Sequence, residues 1–428
     1  MNMTKLKIQA KIATSLFLSA LSLSAQATDG YFENAYGSRS KGLAGADVAF
    51  SQDAISAALN PAGLVYVGTR LDVEGEFFSP LRQYSASGGN GTGFQLTDGT
   101  HQSNKNYYLI PTLGWSYKLD ESQSLGLALY GNGGMNTDYA HVTNPNGSTG
   151  VFYSGRTGVD MAQGFLQATY AHSFDHGRYS LGVSPILAIE YFEAQGLGSF
   201  GQQGYSSAPN QLTNNGREYS FGVGYKVGGQ AELLPGVRLG VAYKSRTYMS
   251  QLKNYAGLFT GQGSFDIPSS LDTGLSWAVT DSVTTAFDVQ QIFYSEVNAV
   301  GNPIQPLFAG AQLGAGNGPG FGWKDMTVYK FGAQWKQSEL LTLRGGFSYG
   351  RQPIPSNQVL FNILAPAVQE WHIDGGFSYQ LPNKDELSFA FMYSPQGAVS
   401  GPNPLSPGQN VSLAMTQYSL TLGWSRKF

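Results

Sequence analysis

The sequence predicts an all-β fold, a 14-stranded antiparallel transmembrane β-barrel whose lumen is plugged by an N-terminal hatch. Three observations predict it. Charged residues make up 12% of the 428 residues, about half the ~25% usual in soluble domains, beside 56 glycines and 13% aromatics. Past residue 25 no stretch approaches the ~18 to 20 uninterrupted apolar residues that a spanning helix needs. From Arg70 onward, stretches alternate apolar with small or polar residues, the period of two that marks a strand with unlike faces. A hydrophobic content of 41% also excludes a disordered chain.

The N-terminus reads as an export signal over residues 1–27. Lys5, Lys7 and Lys11 precede an apolar stretch from Ile12 to Leu23, and Ala25-Gln26-Ala27 supplies the small residues around a cut after Ala27. An amphipathic helix is the rival reading, but Ser and Ala interrupt the run and the three regions come in export order. Removing the leader's three lysines leaves 22 of the 25 basic residues against 28 acidic ones, a net charge of −6, which offers no footprint for nucleic acid. The absence of cysteine excludes a disulfide scaffold, a Cys-ligated zinc site and a thiol nucleophile. It suits a chain that crosses an oxidising periplasm unfolded on its way to the outer membrane.

Residues 28–69 do not alternate. They are rich in small side chains such as Gly42, Ala44, Gly45 and Ala46, with a short helix expected from Asp53 to Leu59 and ended by Asn60-Pro61. About forty compact residues ahead of a barrel fit a plug, the hatch. An exposed periplasmic linker would carry more charge and fewer packed Ala and Gly.

Residues 70–428 read as the barrel. Fourteen alternating stretches fall near 70–84, 105–118, 123–142, 160–175, 178–195, 216–234, 237–252, 263–279, 282–297, 323–337, 339–351, 370–381, 385–395 and 412–428. In the last, Tyr418, Leu420, Leu422, Trp424 and Phe428 share one face, and Gln417, Ser419, Thr421, Gly423 and Ser425 the other. Short turns such as Asp120-Glu121 and Pro235-Gly236 alternate with longer loops rich in Gly, Asn and Ser, the pattern of short periplasmic turns and long outer loops. Lipid cannot satisfy an unpaired backbone group, so a sheet that spans a bilayer must close on itself.

Asp29-Gly30-Tyr31-Phe32, Gly42-Leu43-Ala44-Gly45-Ala46, Asp53-Ala54 and Asn60-Pro61-Ala62-Gly63 resemble the N-terminal hatch of the FadL family of outer-membrane channels for long-chain fatty acids and other hydrophobic compounds. Tyr243-Lys244-Ser245-Arg246, Ile267-Pro268, Gly322-Trp323-Lys324-Asp325 and Pro353-Ile354-Pro355 follow in order, so the resemblance spans the mature chain. It implies a fourteen-stranded barrel, a plugging hatch held by residues such as Asp53, Asn60, Pro61 and Ala62, and a third strand whose inward kink opens a lateral hole. The third stretch carries Gly131-Asn132-Gly133-Gly134, where a regular ladder is poorly held and a bulge is favoured. An ordinary glycine-rich strand end is the alternative. Two roles fit Asn60: fixing the hatch by hydrogen bonds, or turning the chain at a helix end.

The resemblance also implies a ligand pocket beside the hatch N-terminus, lined or closed by Tyr31 and Phe32. A fatty-acid carboxylate there needs a cation or several donors, since a buried unpaired charge costs several kcal/mol. The regions that carry Arg and Lys in characterised members read here Ile189-Glu190-Tyr191-Phe192-Glu193 and Gly318-Pro319-Gly320-Phe321, with no cation in either. Arg238, Lys244 and Arg246 share one face of the seventh stretch and are the substitutes; the alternative is that they are lumen charges paired with Asp or Glu. The departure raises the prospect of a neutral hydrocarbon ligand.

Enzyme signatures carry little. Gly346-Phe347-Ser348-Tyr349-Gly350 matches G-x-S-x-G but lies within a regular strand, not on a sharp strand-to-helix elbow. His372, Asp374 and Ser378 share a strand face, yet Ser378 lies more than ~10 Å from His372. Five scattered histidines offer no metal site, and no cofactor is implied. The expected function is passive uptake of a hydrophobic small molecule by a monomeric barrel surrounded by outer-membrane lipid and lipopolysaccharide. A general porin for polar solutes and a surface adhesin are the competing readings.

Overall fold

The computed structural model describes residues 29–89, 91 and 93–428; the export signal read over residues 1–27 lies outside the described residues. The barrel strands are β1 (Arg70–Ser87), β2 (Tyr108–Lys118), β3 (Gln123–Tyr139), β4 (Thr157–Phe174), β5 (Tyr179–Gln195), β6 (Glu218–Leu234) and β7 (Val237–Lys244). They continue as β8 (Ser270–Ala278), β9 (Val283–Ile292), β10 (Met326–Lys336), β11 (Leu341–Gly350), β12 (Trp371–Gln380), β13 (Asp385–Pro402) and β14 (Asn410–Lys427). Each pairs antiparallel with its chain neighbours, and β14 pairs β1 from Arg70↔Lys427 to Ser87↔Asn410, so the fourteen strands close. Two short strands raise the rim: Gly99–Gln102 on the end of β1 and Tyr248–Met249 on β6.

The period of two decides which side chain meets lipid. On β5, Leu181 and Leu187 are 60% and 57% exposed while Ser180 and Ser184 are buried in the lumen. On β14, Tyr418, Leu420 and Leu422 face out and Ser419 and Thr421 face in. So continuous an apolar outer band is stable only against hydrocarbon. Among the described residues no helix is long and apolar enough to cross a membrane. The strands alone do so.

Four strand ends depart from the alternation, one of them the start of β8, expected at residue 263 but found at Ser270, past Pro268, which has no N–H to give a ladder. β7, expected to reach residue 252, stops at Lys244, because Ser245 takes up the pairing with Tyr225 through both its N–H (2.9 Å) and its Oγ (3.0 Å). The resulting bend moves Arg246 off the face it was expected to share with Lys244. β9 ends at Ile292, five residues early, where a 3-10 turn begins at Tyr294. β13 runs past residue 395 to Pro402, crossing a register shift between Ser394 and Gly397.

The pairing of β2 with β3 is the shortest between neighbours in the ring. β2 pairs β3 only from Lys118↔Ser124 to Leu113↔Leu129, although β2 keeps pairing β1 as far as Tyr108 and β3 keeps pairing β4 as far as Tyr139. The β3–β4 register slips between Gly131 and Gly133. The outer half of β3 therefore leaves its neighbour on one side at the glycine-rich stretch.

Residues 29–69 fill the lumen. The single helix expected from Asp53 to Leu59 is a 3-10 turn, Ala54–Ala58, and Asn60-Pro61 not only ends it but starts a second, Pro61–Tyr66. Asp53 Oδ1 accepts the Ser56 N–H (2.9 Å) as N-cap of the first, and Asn60 Oδ1 accepts the Ala62 N–H (3.0 Å) at the second, with Pro61 at the first helical position. Asn60 Nδ2 also donates to Val48 O (2.9 Å) and to Gly229 O on β6 (3.2 Å), so both roles considered for this residue coexist.

Candidate functional site

The hatch is seated by charge. β1 turns Asp72, Glu74 and Glu76 into the lumen at alternate positions, and the helical turn Ser38–Lys41 lies against them. Arg39 spreads its guanidinium over Asp53 (2.9 Å), Asp72 (3.3 Å) and Glu386 of β13 (2.6 Å), and also donates to Ser425 Oγ of β14 (3.0 Å). Lys41 joins Glu33 (2.8 Å) to Glu76 (2.5 Å), and the Ser38 N–H and hydroxyl donate to Glu74. Sequence reasoning missed this set. Its signal was available: three acids two apart on the first strand, facing a short cationic turn in the plug.

Asp47 differs, since its partner is a hydroxyl. Burial pushes its carboxyl up to about 7, against the Ser40 Oγ–H donor (2.7 Å); Asp53 adds to the rise, and Lys330 and Arg344 oppose it. An acid whose folded pKa is raised contributes stability below its unfolded pKa of ~3.9, and that contribution is lost as pH climbs toward 7. Asp47→Asn is therefore expected to raise the midpoint of thermal unfolding at pH 8 and leave it nearly unchanged at pH 4. Equal shifts at both values would contradict this.

Above the hatch the lumen turns aromatic. Tyr31 packs against Phe32 (ring centroids 5.3 Å), Tyr294 (5.3 Å), Trp323 (5.8 Å) and Phe265 (6.2 Å). The Tyr31 N–H donates to Tyr294 Oη (3.1 Å), which in turn donates to Asp29 O. Trp323 is fixed by its Nε1–H to Asn362 Oδ1 (2.6 Å). Beyond these rings, under the outer loops, lies a cavity walled by Phe152, Phe192, Phe200, Phe259, Phe321 and Phe361 among other apolar residues, with no charged side chain on its lining. Phe259–Phe265 (4.8 Å) and Phe321–Trp323 (6.3 Å) link its wall to Tyr31. Several of these phenylalanines lie in loops distant in sequence, so no periodicity announces them. The available signal was the presence of large apolar residues in glycine-rich loops that would otherwise expose them to water.

Five residues were expected at the ligand. Tyr31, Phe32 and Lys244 do come together: the Lys244 ammonium lies 4.6 Å from the Phe32 ring centroid and 5.6 Å from that of Phe165, and donates to Pro268 O (2.6 Å). Arg238 does not join them, being near the periplasmic turn over the Tyr66 ring (4.0 Å), with Glu232 at 3.6 Å. Arg246 is held at the outer rim by Asp266 (2.7 Å) and Glu296 O (2.7 Å). The two arginines follow the paired-charge alternative.

The hatch N-terminus meets the β3 bulge directly. The Glu33 N–H donates to Asn132 O (3.0 Å) and the Gly134 N–H to Tyr31 O (3.0 Å), so Tyr31–Glu33 acts as a short strand on the departing edge. A Cβ on Gly133 would sit 1.8 Å from Tyr31 O; one on Gly131 would meet only Ile110 Cγ2, at 3.2 Å.

Ser348 of the G-x-S-x-G match pairs in register with His372, its Oγ 3.1 Å from Nδ1. Both are buried where β11 and β12 pair in register, near one end of each strand, without an elbow to present the hydroxyl to a substrate. Among the described residues no group of three or more His, Asp or Glu is placed to hold a metal ion.

A closed lipid-facing barrel, plugged by its own N-terminal segment and holding an apolar cavity beneath its outer loops, defines a hatch-plugged channel of the bacterial outer membrane. The chain belongs to the outer membrane protein transport protein family (OMPP1/FadL/TodX), whose model matches residues 18–403. Its structure is similar to that of the P. putida toluene transporter TodX, at 17% identity over 92% of this chain and 99% of that one, with a TM-score of 0.68. A Pseudomonas aeruginosa FadL homologue matches at 13% identity over 92% and 98%, with a TM-score of 0.66. The Ralstonia pickettii toluene transporter TbuX matches at 17% over 92% and 99%, with a TM-score of 0.62. At these identities the likeness is one of fold. No curated protein matches the chain.

Proposed function

We propose that this channel takes up small neutral hydrocarbons, aromatic or aliphatic, and releases them sideways into the membrane. The ligand enters the phenylalanine-walled cavity, passes the Tyr31, Phe32 and Trp323 rings, and leaves where β2 and β3 part beside Gly131, Gly133 and Gly134. The path never exposes it to bulk water. One observation carries the reading: the two stretches that the family resemblance marks for cations place Phe192 and Phe321 in the cavity wall instead. A carboxylate entering that wall would lose its hydration with no donor to replace it, a cost of several kcal/mol. The toluene transporters among the similar structures agree with this substrate class.

Lys244 supports a second reading, because its ammonium beside Phe32 has no ion pair among the described residues and suits a fatty-acid carboxylate. Labelled toluene and a labelled long-chain fatty acid, offered separately to cells lacking channels of their own, distinguish the two. Toluene uptake alone is expected, unchanged in Lys244→Met and reduced at least tenfold in Phe259→Asp. Fatty-acid uptake abolished by Lys244→Met would establish the carboxylate reading. Transport of neither by a folded barrel that conducts small polar solutes would favour the porin.

A further inference from the structure

The outer rim carries a second feature, on the lipid side of the wall. Four rim cations are matched by acids: Lys105 and Arg217 by Asp160 (2.6 and 2.7 Å), Arg156 by Asp138 (2.6 Å) and Arg246 by Asp266 (2.7 Å). Lys324, just before β10, and Arg351, just after β11, are exposed and carry no ion pair among the described residues. They line one open groove, together with outward-facing Tyr329 and Tyr349 and with Pro353 and Ile354. Asp325 lies in the same groove, but its Oδ1 is taken by the Ser295 N–H (2.9 Å). Nearby Glu370 accepts the Gln352 N–H (3.2 Å). Below, Tyr349 packs on Trp371, itself 46% exposed to lipid, with ring centroids 4.6 Å apart.

Cations above an aromatic belt mark the level where headgroups meet acyl chains. We infer that this groove binds a phosphorylated glycolipid of the outer leaflet, with a headgroup phosphate between Lys324 and Arg351 and an acyl chain along Tyr329 and Tyr349. Tyrosine rings provide an amphipathic surface for that junction, and Arg351 can present two parallel N–H donors to one phosphate.

The probe is bis-phosphorylated lipid A, titrated against the purified full-length barrel in detergent and read by native mass spectrometry. Lys324→Gln/Arg351→Gln is expected to weaken binding about thirtyfold, following the contribution of two basic residues at a membrane surface. Arg156→Gln, which removes a paired cation, is expected to change it less than threefold. Dephosphorylated lipid A should bind the unaltered protein as weakly as lipid A binds the double variant, and raising the salt should weaken only the unaltered protein. Heat-shifted gel mobility establishes that each variant is folded. Equal affinity of the double variant and the unaltered protein, or of lipid A with and without phosphate, would overturn the inference. So would millimolar inorganic phosphate displacing the lipid, which would make this a free-anion site.

Discussion

Gly133→Val is expected to release the hatch N-terminus from β3. The added Cβ falls 1.8 Å from Tyr31 O, and its nearest obstacles are backbone atoms of Tyr31 and Phe32, which cannot rotate away as a flexible side chain would. Two hydrogen bonds, Glu33 N–H to Asn132 O and Gly134 N–H to Tyr31 O, must then break. At about 1 kcal/mol each, they imply that amide exchange at Glu33 and Gly134 rises about thirtyfold even before the clash is counted. Gly131→Ala is the matched control, since its methyl group meets only the tip of Ile110, and it should leave exchange within threefold. If the valine variant exchanges at the original rate, the contact between hatch and bulge does not hold the N-terminus. Because the same residues lie where β2 and β3 part, hydrocarbon uptake should fall with the docking.

The second large effect is expected at Arg39. Arg39→Met leaves Asp53 and Glu386 buried without their guanidinium and Asp72 with Arg70 alone. Breaking a buried pair from one side costs about 3–5 kcal/mol, enough to loosen a plug that then keeps Lys41–Glu76 and Lys330–Asp29 as ion pairs to the wall. Planar-bilayer recordings should show the closed barrel becoming conductive, and cells carrying the variant should become sensitive to bulky polar antibiotics. Arg39→Lys is expected to recover only part of the closure, because an ammonium cannot address three carboxylates with a planar fork. A variant as tight as the original would place the anchoring in the Lys41 and Lys330 ion pairs and in Asn60 instead.

Most of the barrel was legible because lipid outside and water or hatch inside impose opposite demands on successive side chains. Where that demand ends, so does the reading. β7 was overextended because Lys244-Ser245-Arg246 still alternates on paper, while the serine hydroxyl had already taken over a backbone partner. β13 was cut short because Gly397 and Ala398 carry too little apolar contrast to signal a strand that stands above the membrane. At the site, the glycine bulge could be singled out from its own composition, and Tyr31 and Phe32 only through the resemblance carried by Asp29-Gly30-Tyr31-Phe32. The phenylalanine cavity could not, because its wall is assembled from loops as much as about 200 residues apart, with Phe200 set between Phe152 and Phe361. Nor could the fate of Arg238, whose position on an inward face is equally consistent with binding a ligand or resting on Tyr66.

Arg39 touches β1 through Asp72, β13 through Glu386 and β14 through Ser425, and so spans the junction where the last strand of the chain meets the first. That junction joins residues more than 300 positions apart, and its cost as a chain-entropy problem is among the largest in the fold. A plug that binds both margins of the sheet shortens the loop to be closed, from the whole chain to the distance between neighbouring partners on one guanidinium. The hatch thus ties the closing seam of the barrel as well as filling its lumen.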